Sequence, residues 1–85
     1  MKLRIISTKE IVYDGEVGIV TLPGTMGAFT VLDHHASLIS TLVGGRIIYG
    51  TKATEASEGD QHEMEIKGGI ADIDNATNTV NVCVF

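Results

Sequence analysis

The chain has one cysteine, one proline, no tryptophan and only four aromatic residues in 85, and each scarcity excludes something. A lone Cys83 cannot close an internal disulfide, which fits a reducing compartment or a protein indifferent to redox state. No stretch of about 18 apolar residues is present to cross a bilayer as a helix. After Met1 the sequence runs straight into Lys2-Leu3-Arg4-Ile5-Ile6. That segment lacks the apolar core of about 7–15 residues that an export signal needs. Six bases face eleven acids, and no basic stripe exists to neutralise phosphates or to draw the chain to anionic lipid. Nucleic-acid binding and direct membrane insertion are therefore not expected. The expectation is a cytoplasmic protein, brought to a membrane only by another molecule.

What is present is a globular composition, 44% hydrophobic and 20% charged, in a length that suits one domain over residues 1–85. The net charge of −5 equals the number of acids in one stretch: Glu55, Glu58, Asp60, Glu63 and Glu65, with no Lys or Arg between Lys52 and Lys67. The other six acids cancel the six bases, so this run reads as a solvated surface.

Ten glycines and many β-branched residues cut the chain into short pieces, and no window is rich enough in Ala, Leu, Glu and Lys to sustain a helix. The reading is all-β. Strands are expected over 3–7, 16–22, 28–32, 38–43, 46–49, 62–66, 70–73 and 79–84. Turns fall at Asp14-Gly15, Pro23-Gly24, Gly44-Gly45 and Asp74-Asn75, with Gly44-Gly45 placed as a tight hairpin would require. Val80, Val82 and Val84 share one face of the last strand, and Met64 and Ile66 oppose Glu63 and Glu65. Residues 35–43 also fit a helical stripe. Strand is preferred there, because Ser37, Ser40, Thr41 and Val43 are poor helix-interior residues. Residues 51–61 read as a polar hairpin tip or surface loop.

Few residue groupings suggest chemistry. Asp33-His34-His35 is the most reactive-looking, yet neighbouring residues of an extended segment point to opposite sides and do not chelate one ion together without a sharp turn. Ser37, His35 and a carboxylate form a triad only on paper, since no nucleophile-elbow pattern accompanies them. Gly24-Thr25-Met26-Gly27 lacks the Lys-Ser/Thr ending of a phosphate cradle and reads as a tight exposed turn. Gly68-Gly69 suggests a bulge, a close approach by another backbone, or a sheet corner. Cys83 reads as a small buried or half-buried apolar residue. No catalytic residue, metal site or cofactor is expected.

The order Gly27-Ala28-Phe29-Thr30-Val31-Leu32-Asp33-His34-His35-Ala36-Ser37-Leu38-Ile39-Ser40, followed by Lys67-Gly68-Gly69-Ile70-Ala71-Asp72-Ile73, resembles the epsilon subunit of rotary F-type ATP synthase. Leu3-Arg4-Ile5-Ile6-Ser7-Thr8 and Tyr13-Asp14-Gly15-Glu16-Val17 are similar to that family's first strand, its Ser-containing turn and its approach to the second strand. The resemblance implies a two-sheet β-sandwich of about ten short strands. In place of the family's Pro-Gly-His-Ala-Pro stands Asp33-His34-His35-Ala36-Ser37, which keeps only the His-Ala pair and implies a more flexible turn. Family members commonly append a helical pair, and the sequence ends before it, so a short form without a C-terminal helical domain is expected.

By resemblance the protein is a non-catalytic rotor part of the central stalk, peripheral on the cytoplasmic face of the bacterial inner membrane. It would link the gamma subunit to the membrane c-ring so that ion flow drives ATP synthesis. Carried over position by position, Ser7, His35 and Ser40 fall at the gamma interface, and Thr25, Met26 and Ala28 at the polar loops of the ring. Gly27, Gly68 and Gly69 are its structural glycines. The alternatives are a free-standing β-sandwich module for a ligand or peptide, and a small hydrolase or metal enzyme using Asp33, His34 and His35.

Overall fold

A computed structural model describes residues 1–51 and 61–85. The described residues form nine strands: β1 (Lys2–Ile6), β2 (Ile11–Glu16), β3 (Ile19–Gly24), β4 (Gly27–Leu32), β5 (Leu38–Leu42), β6 (Gly45–Gly50), β7 (Gln61–Ile66), β8 (Gly69–Asp74) and β9 (Thr79–Val84). The all-β expectation holds, and the ambiguous segment after His35 is the strand β5.

Hydrogen bonding runs β2-β1-β9-β8-β5-β3-β6-β7, with β4 on the far side of β3. Only β1 and β9 are parallel. The path divides naturally in two, because β5 meets β3 at the single pair Leu42–Gly24. On one side lies a five-stranded arm, β2-β1-β9-β8-β5, and on the other a four-stranded arm, β4-β3-β6-β7. The two layers are thus halves of one doubled sheet, and the expected β-sandwich of about ten short strands holds, with nine strands among the described residues.

Alternation explains the doubling. Leu3, Ile5, Ala71, Ile73, Val80 and Val82 are buried from the first arm, and Val20, Leu22, Val31, Ile47, Tyr49 and Ile66 from the second. All belong to one core cluster, with Tyr13, Phe29, Leu38 and Met64 packed at its margin. Period-two strands present one dry face each, and the dry faces meet.

Four local expectations are corrected. The single strand expected over 16–22 is the end of β2 followed by β3, and Asp14-Gly15 lies inside β2, where it pairs with Arg4 and Leu3. A ladder partner outweighed the turn propensity of Asp-Gly. Pro23-Gly24 ends β3 and does not follow it; Pro23 pairs with Ala28, and its carbonyl accepts from the Val43 amide at 2.9 Å. Gly44-Gly45 is no hairpin turn, because β5 and β6 do not pair; it carries the chain from one arm to the other. A side chain on Gly45 would press to 3.0 Å from Pro23 Cβ, which is why the crossing needs a residue this small. The expected loop over 51–61 lies outside the described residues except at its ends, and Gln61 already belongs to β7.

Gly68-Gly69 is both a corner and a close approach. It separates β7 of one arm from β8 of the other, and a Cβ on Gly69 would collide with the carbonyl oxygen of Cys83 and sit 3.2 Å from Val84 Cα. Asp74-Asn75 opens the β8–β9 turn as expected, with the Ala76 amide donating to Asp74 Oδ1 at 2.9 Å.

Candidate functional site

The two ends of the sandwich are built differently. At one end the β3–β4 hairpin turns through Thr25 and Met26, closed by the pair Gly24–Gly27. Thr25 is tied to β5: its amide donates to the Thr41 carbonyl at 3.0 Å, and its Oγ1 lies 2.6 Å from Thr41 Oγ1. Met26 has no such tie and is 100% exposed. Gly27 holds φ at 125°, a region that favours glycine, although the space around it is open. Thr25, Met26 and Ala28 are therefore brought together on one projecting hairpin. Val43 and Phe85 lie at this same end, the first bonded to Pro23 and the second donating its amide to the Gly68 carbonyl at 3.1 Å. Both expose apolar side chains.

The outer face of the five-stranded arm continues that apolar surface. Register aligns Ile11, Ile6, Cys83, Ile70 and Thr41 in one row across five strands, and Asp14, Arg4, Asn81, Asp72 and Ile39 in the next. Ile6, Ile11, Ile39 and Ile70 are all exposed, Ile39 to 73%. Arg4, Ile6, Ile70, Asp72, Asn81, Val82 and Cys83 line a shallow concavity of about 510 Å³. Cys83 is exposed there, which corrects the buried or half-buried reading. The cause was visible in β9: with Val80, Val82 and Val84 inward, position 83 must face out.

The outer face of the four-stranded arm differs. Thr30, Thr21, Ile48 and Glu63 form one row, and Arg46 pairs with Glu65 in another. Thr21 Oγ1 and Thr30 Oγ1 are 2.9 Å apart, and Arg46 donates to Glu63 at 3.2 Å. That exposed ion pair contributes about 0–1 kcal/mol; this face is polar along Thr21, Thr30, Arg46, Glu63 and Glu65, with Ile48 and the Ile19–Leu32 pair as its apolar positions. Of the acidic run, Glu63 and Glu65 are exposed on β7; the other three acids lie outside the described residues.

Ser7, His35 and Ser40 are not brought together. Ser7 sits in the β1–β2 turn, its Oγ accepting from the amides of Lys9 and Glu10 at 3.3 Å each. Ser40 is on β5, at the opposite edge of the five-stranded arm, and donates to the Thr41 carbonyl at 3.0 Å. His35 lies between β4 and β5, where its Nδ1 is 2.8 Å from the Ala36 carbonyl oxygen.

That loop belongs to the far end of the sandwich, which side-chain hydrogen bonds hold together. Asp33 accepts from the Met1 ammonium at 2.6 Å and from Asn78 Nδ2 at 3.2 Å. The Asn78 side-chain oxygen accepts from the His34 amide at 2.8 Å, while Asn75 Nδ2 donates to the carbonyls of His34 and His35. His34 and Asn78 both carry positive φ, 60° and 53°. Within Asp33-His34-His35, the side chains of Asp33 and His35 thus go to different partners and His34 bonds through its backbone. The ammonium's hydrogen bond holds the Asp33 carboxyl below its ordinary range, and the same bond raises the amine. Burial raises the Tyr49 phenol, whose ring stacks on His62 with centres 5.4 Å apart and meets Tyr13 at a 45° tilt with centres 4.6 Å apart.

Sequence reasoning missed the exposed isoleucine row and the Met1–Asp33 pair. The row needed the register between strands, and the pair joins positions 32 apart in the chain. The alternation of β1 and β8 was the available signal for the row.

The molecule is a small doubled β-sheet whose two outer faces differ: one sets an exposed isoleucine row beside a charged row and runs into an apolar tip, and the other carries the threonine pair and the Arg46–Glu63 ion pair. Residues 1–84 match the family described as the ATP synthase Delta/Epsilon chain beta-sandwich domain, and the chain belongs to that family. It is 35% identical over 79 residues to the ATP synthase epsilon chain of Sulfurovum sp., covering 93% of this chain and 58% of that one. Against the epsilon chain of Leptospira borgpetersenii the identity is 30% over 83 residues, covering 96% and 58%. The chain therefore spans 58% of the length of these two curated relatives. Among solved structures, a chain of the Euglena gracilis mitochondrial ATP synthase superposes with a TM-score of 0.80 at 22% identity, covering 96% of this chain and 48% of that one. A chain of the Tetrahymena thermophila central stalk and c-ring gives 0.75 at 13%, covering 99% and 62%. At these identities the two structures speak for the shared fold.

Proposed function

We propose that this chain is a non-catalytic rotor subunit of the central stalk of an F-type ATP synthase, seated between the gamma subunit and the membrane c-ring. The family match along residues 1–84 carries the reading and does not favour a free-standing ligand-binding module. Torque crosses from ring to gamma only through surfaces that do not slip, and permanent interfaces bury about 2,000 Å² or more and are rich in apolar side chains. The outer face of the five-stranded arm is the gamma-facing surface, with Ser7 at one edge and His35 at its far end; Ser40, between the outward Ile39 and Thr41, turns to the inner side of the opposite edge strand and would meet gamma only along that edge. The hairpin bearing Thr25, Met26 and Ala28 meets the polar loops of the ring. The subunit is held peripherally on the cytoplasmic face of the bacterial inner membrane through these partners; among the described residues no helix is long and apolar enough to cross a membrane.

Co-expression with the gamma subunit of the same organism tests this. A stable 1:1 complex by size exclusion and light scattering is expected. Two separate, non-interacting species would sink the reading.

A further inference from the structure

Resting on the reading that gamma covers the outer face of the five-stranded arm, we propose that Arg4 and Asp72 are the two polar anchors of that contact, gamma setting a carboxylate against Arg4 and a Lys or Arg side chain against Asp72. Both residues are exposed, and among the described residues neither side chain forms a hydrogen bond or an ion pair. The carboxylate beside Arg4, that of Asp14 on β2, is already taken by Lys2 Nζ at 3.4 Å. Arg4 and Asp72 stand in one row, two strands apart, with Asn81 between them. At the usual strand spacing their backbones are about 9–10 Å apart.

The surroundings give the two charges their weight. Ile6, Cys83 and Ile70 form the neighbouring row, two residues away on each strand, and Ile39 ends the charged row on β5. Arg4 and Asp72 share the concavity of about 510 Å³ with Ile6 and Ile70, and Asp72 also lines a hollow of about 350 Å³ against Ile39. A partner that covers the isoleucines therefore takes both charges out of water. A charge buried without a counter-charge is strongly unfavourable, so a tight partner brings one for each. Apolar contact has no preferred direction, whereas a cation and an anion at a fixed separation admit the partner one way round and repel it the other. The complementary surface carries an acidic and a basic group about 10 Å apart, the spacing of two residues seven positions apart on one helix face.

The test is calorimetric titration of gamma with the wild type, with the neutral variants Arg4→Gln and Asp72→Asn, with the reversals Arg4→Glu and Asp72→Lys, and with the swap that carries both reversals. Each neutral variant is expected to weaken binding by about tenfold or more and each reversal by about a hundredfold or more, with the swap weaker than either reversal. The Tm of each free variant should stay within about 3 °C of wild type, because these side chains bond nothing inside the domain. The neutral variants decide the matter where a reversal disturbs the fold. A swap that binds as wild type would mean that Arg4 and Asp72 pair with each other under gamma, and would overturn the proposal. Neutral variants that bind as wild type would overturn it too. In both cases a tight wild-type complex leaves the gamma reading standing; a wild type that forms no complex overturns both.

Discussion

The two ends of this small sandwich reach stability by opposite means. The end that carries Met26 is closed mainly by backbone, with the Thr25–Thr41 hydroxyl contact as its side-chain tie: Gly69 lies under the Cys83 carbonyl, Gly45 under Pro23, and Val43 and Phe85 are anchored through their amides. The side chains of Met26, Val43 and Phe85 take no part in that fastening and are exposed. At the other end the side chains do the fastening. Asp33, Asn75, Asn78 and Ser37 spend their hydrogen-bonding groups on neighbouring loops and on the Met1 ammonium. An end whose side chains are occupied in holding the fold has few left to offer a partner. The backbone-built end keeps its apolar groups available, and it is the end proposed to meet the ring.

Breaking the backbone-built end should have the largest effect on folding. Gly69→Ala forces a Cβ against a carbonyl oxygen that cannot move without shifting β9, and a cost of about 1–3 kcal/mol is expected. Chemical denaturation with an unchanged m-value would confirm it; a variant as stable as wild type would mean that this corner is loose.

At the side-chain-built end, Asn78→Ala removes two side-chain hydrogen bonds and places Ala at a φ of 53°. A loss of about 1–2 kcal/mol is expected. Asn78→Gly, which relieves the backbone but not the bonds, should recover part of it. If Gly is no better than Ala, the dihedral contributes nothing.

The ion pair at that end gives a pH signature with two limbs. Asp33 is lowered from its ordinary 3.8, so its contribution is complete above that value and disappears as pH falls through the folded pKa. The Met1 amine is raised from 8.0, so its contribution is complete below 8.0 and disappears as pH rises through the folded pKa. Between the two limbs this contribution to stability should be flat. Asp33→Asn should flatten the alkaline limb in a Tm-against-pH series, and an unaltered alkaline limb would separate the amine from Asp33.

Met26→Asp should do least to the fold, within about 0.5 kcal/mol, because the residue touches solvent on all sides. Its effect should instead appear as weaker retention of the c-ring by the assembled stalk. Equal retention would remove Met26 from the contact.

Much of this was legible in the sequence, wherever one strand's own alternation decides the outcome. Val80, Val82 and Val84 announce the inner face of β9, and the same pattern should have placed Cys83 outside. What stayed hidden depends on pairing across the chain. Asp14-Gly15 and Gly44-Gly45 carry strong turn chemistry, yet one sits in a ladder opposite β1 and the other crosses between arms. Turn propensity is local, and both positions were decided by distant partners. The candidate site follows the same division. The Thr25-Met26 hairpin could be read from its flanking glycines, whereas the isoleucine row exists only once β1, β2, β8 and β9 stand side by side.

The outer face of the five-stranded arm is the surface proposed to meet gamma. The direct measurement is calorimetric titration of gamma with the wild type, with Ile70→Asp on that face, and with Thr30→Asp on the opposite face as the control. The account predicts tight 1:1 binding that Ile70→Asp weakens by about tenfold or more, as loss of a central apolar contact does, while Thr30→Asp binds as wild type. Equal binding by all three, or a loss confined to Thr30→Asp, would contradict it.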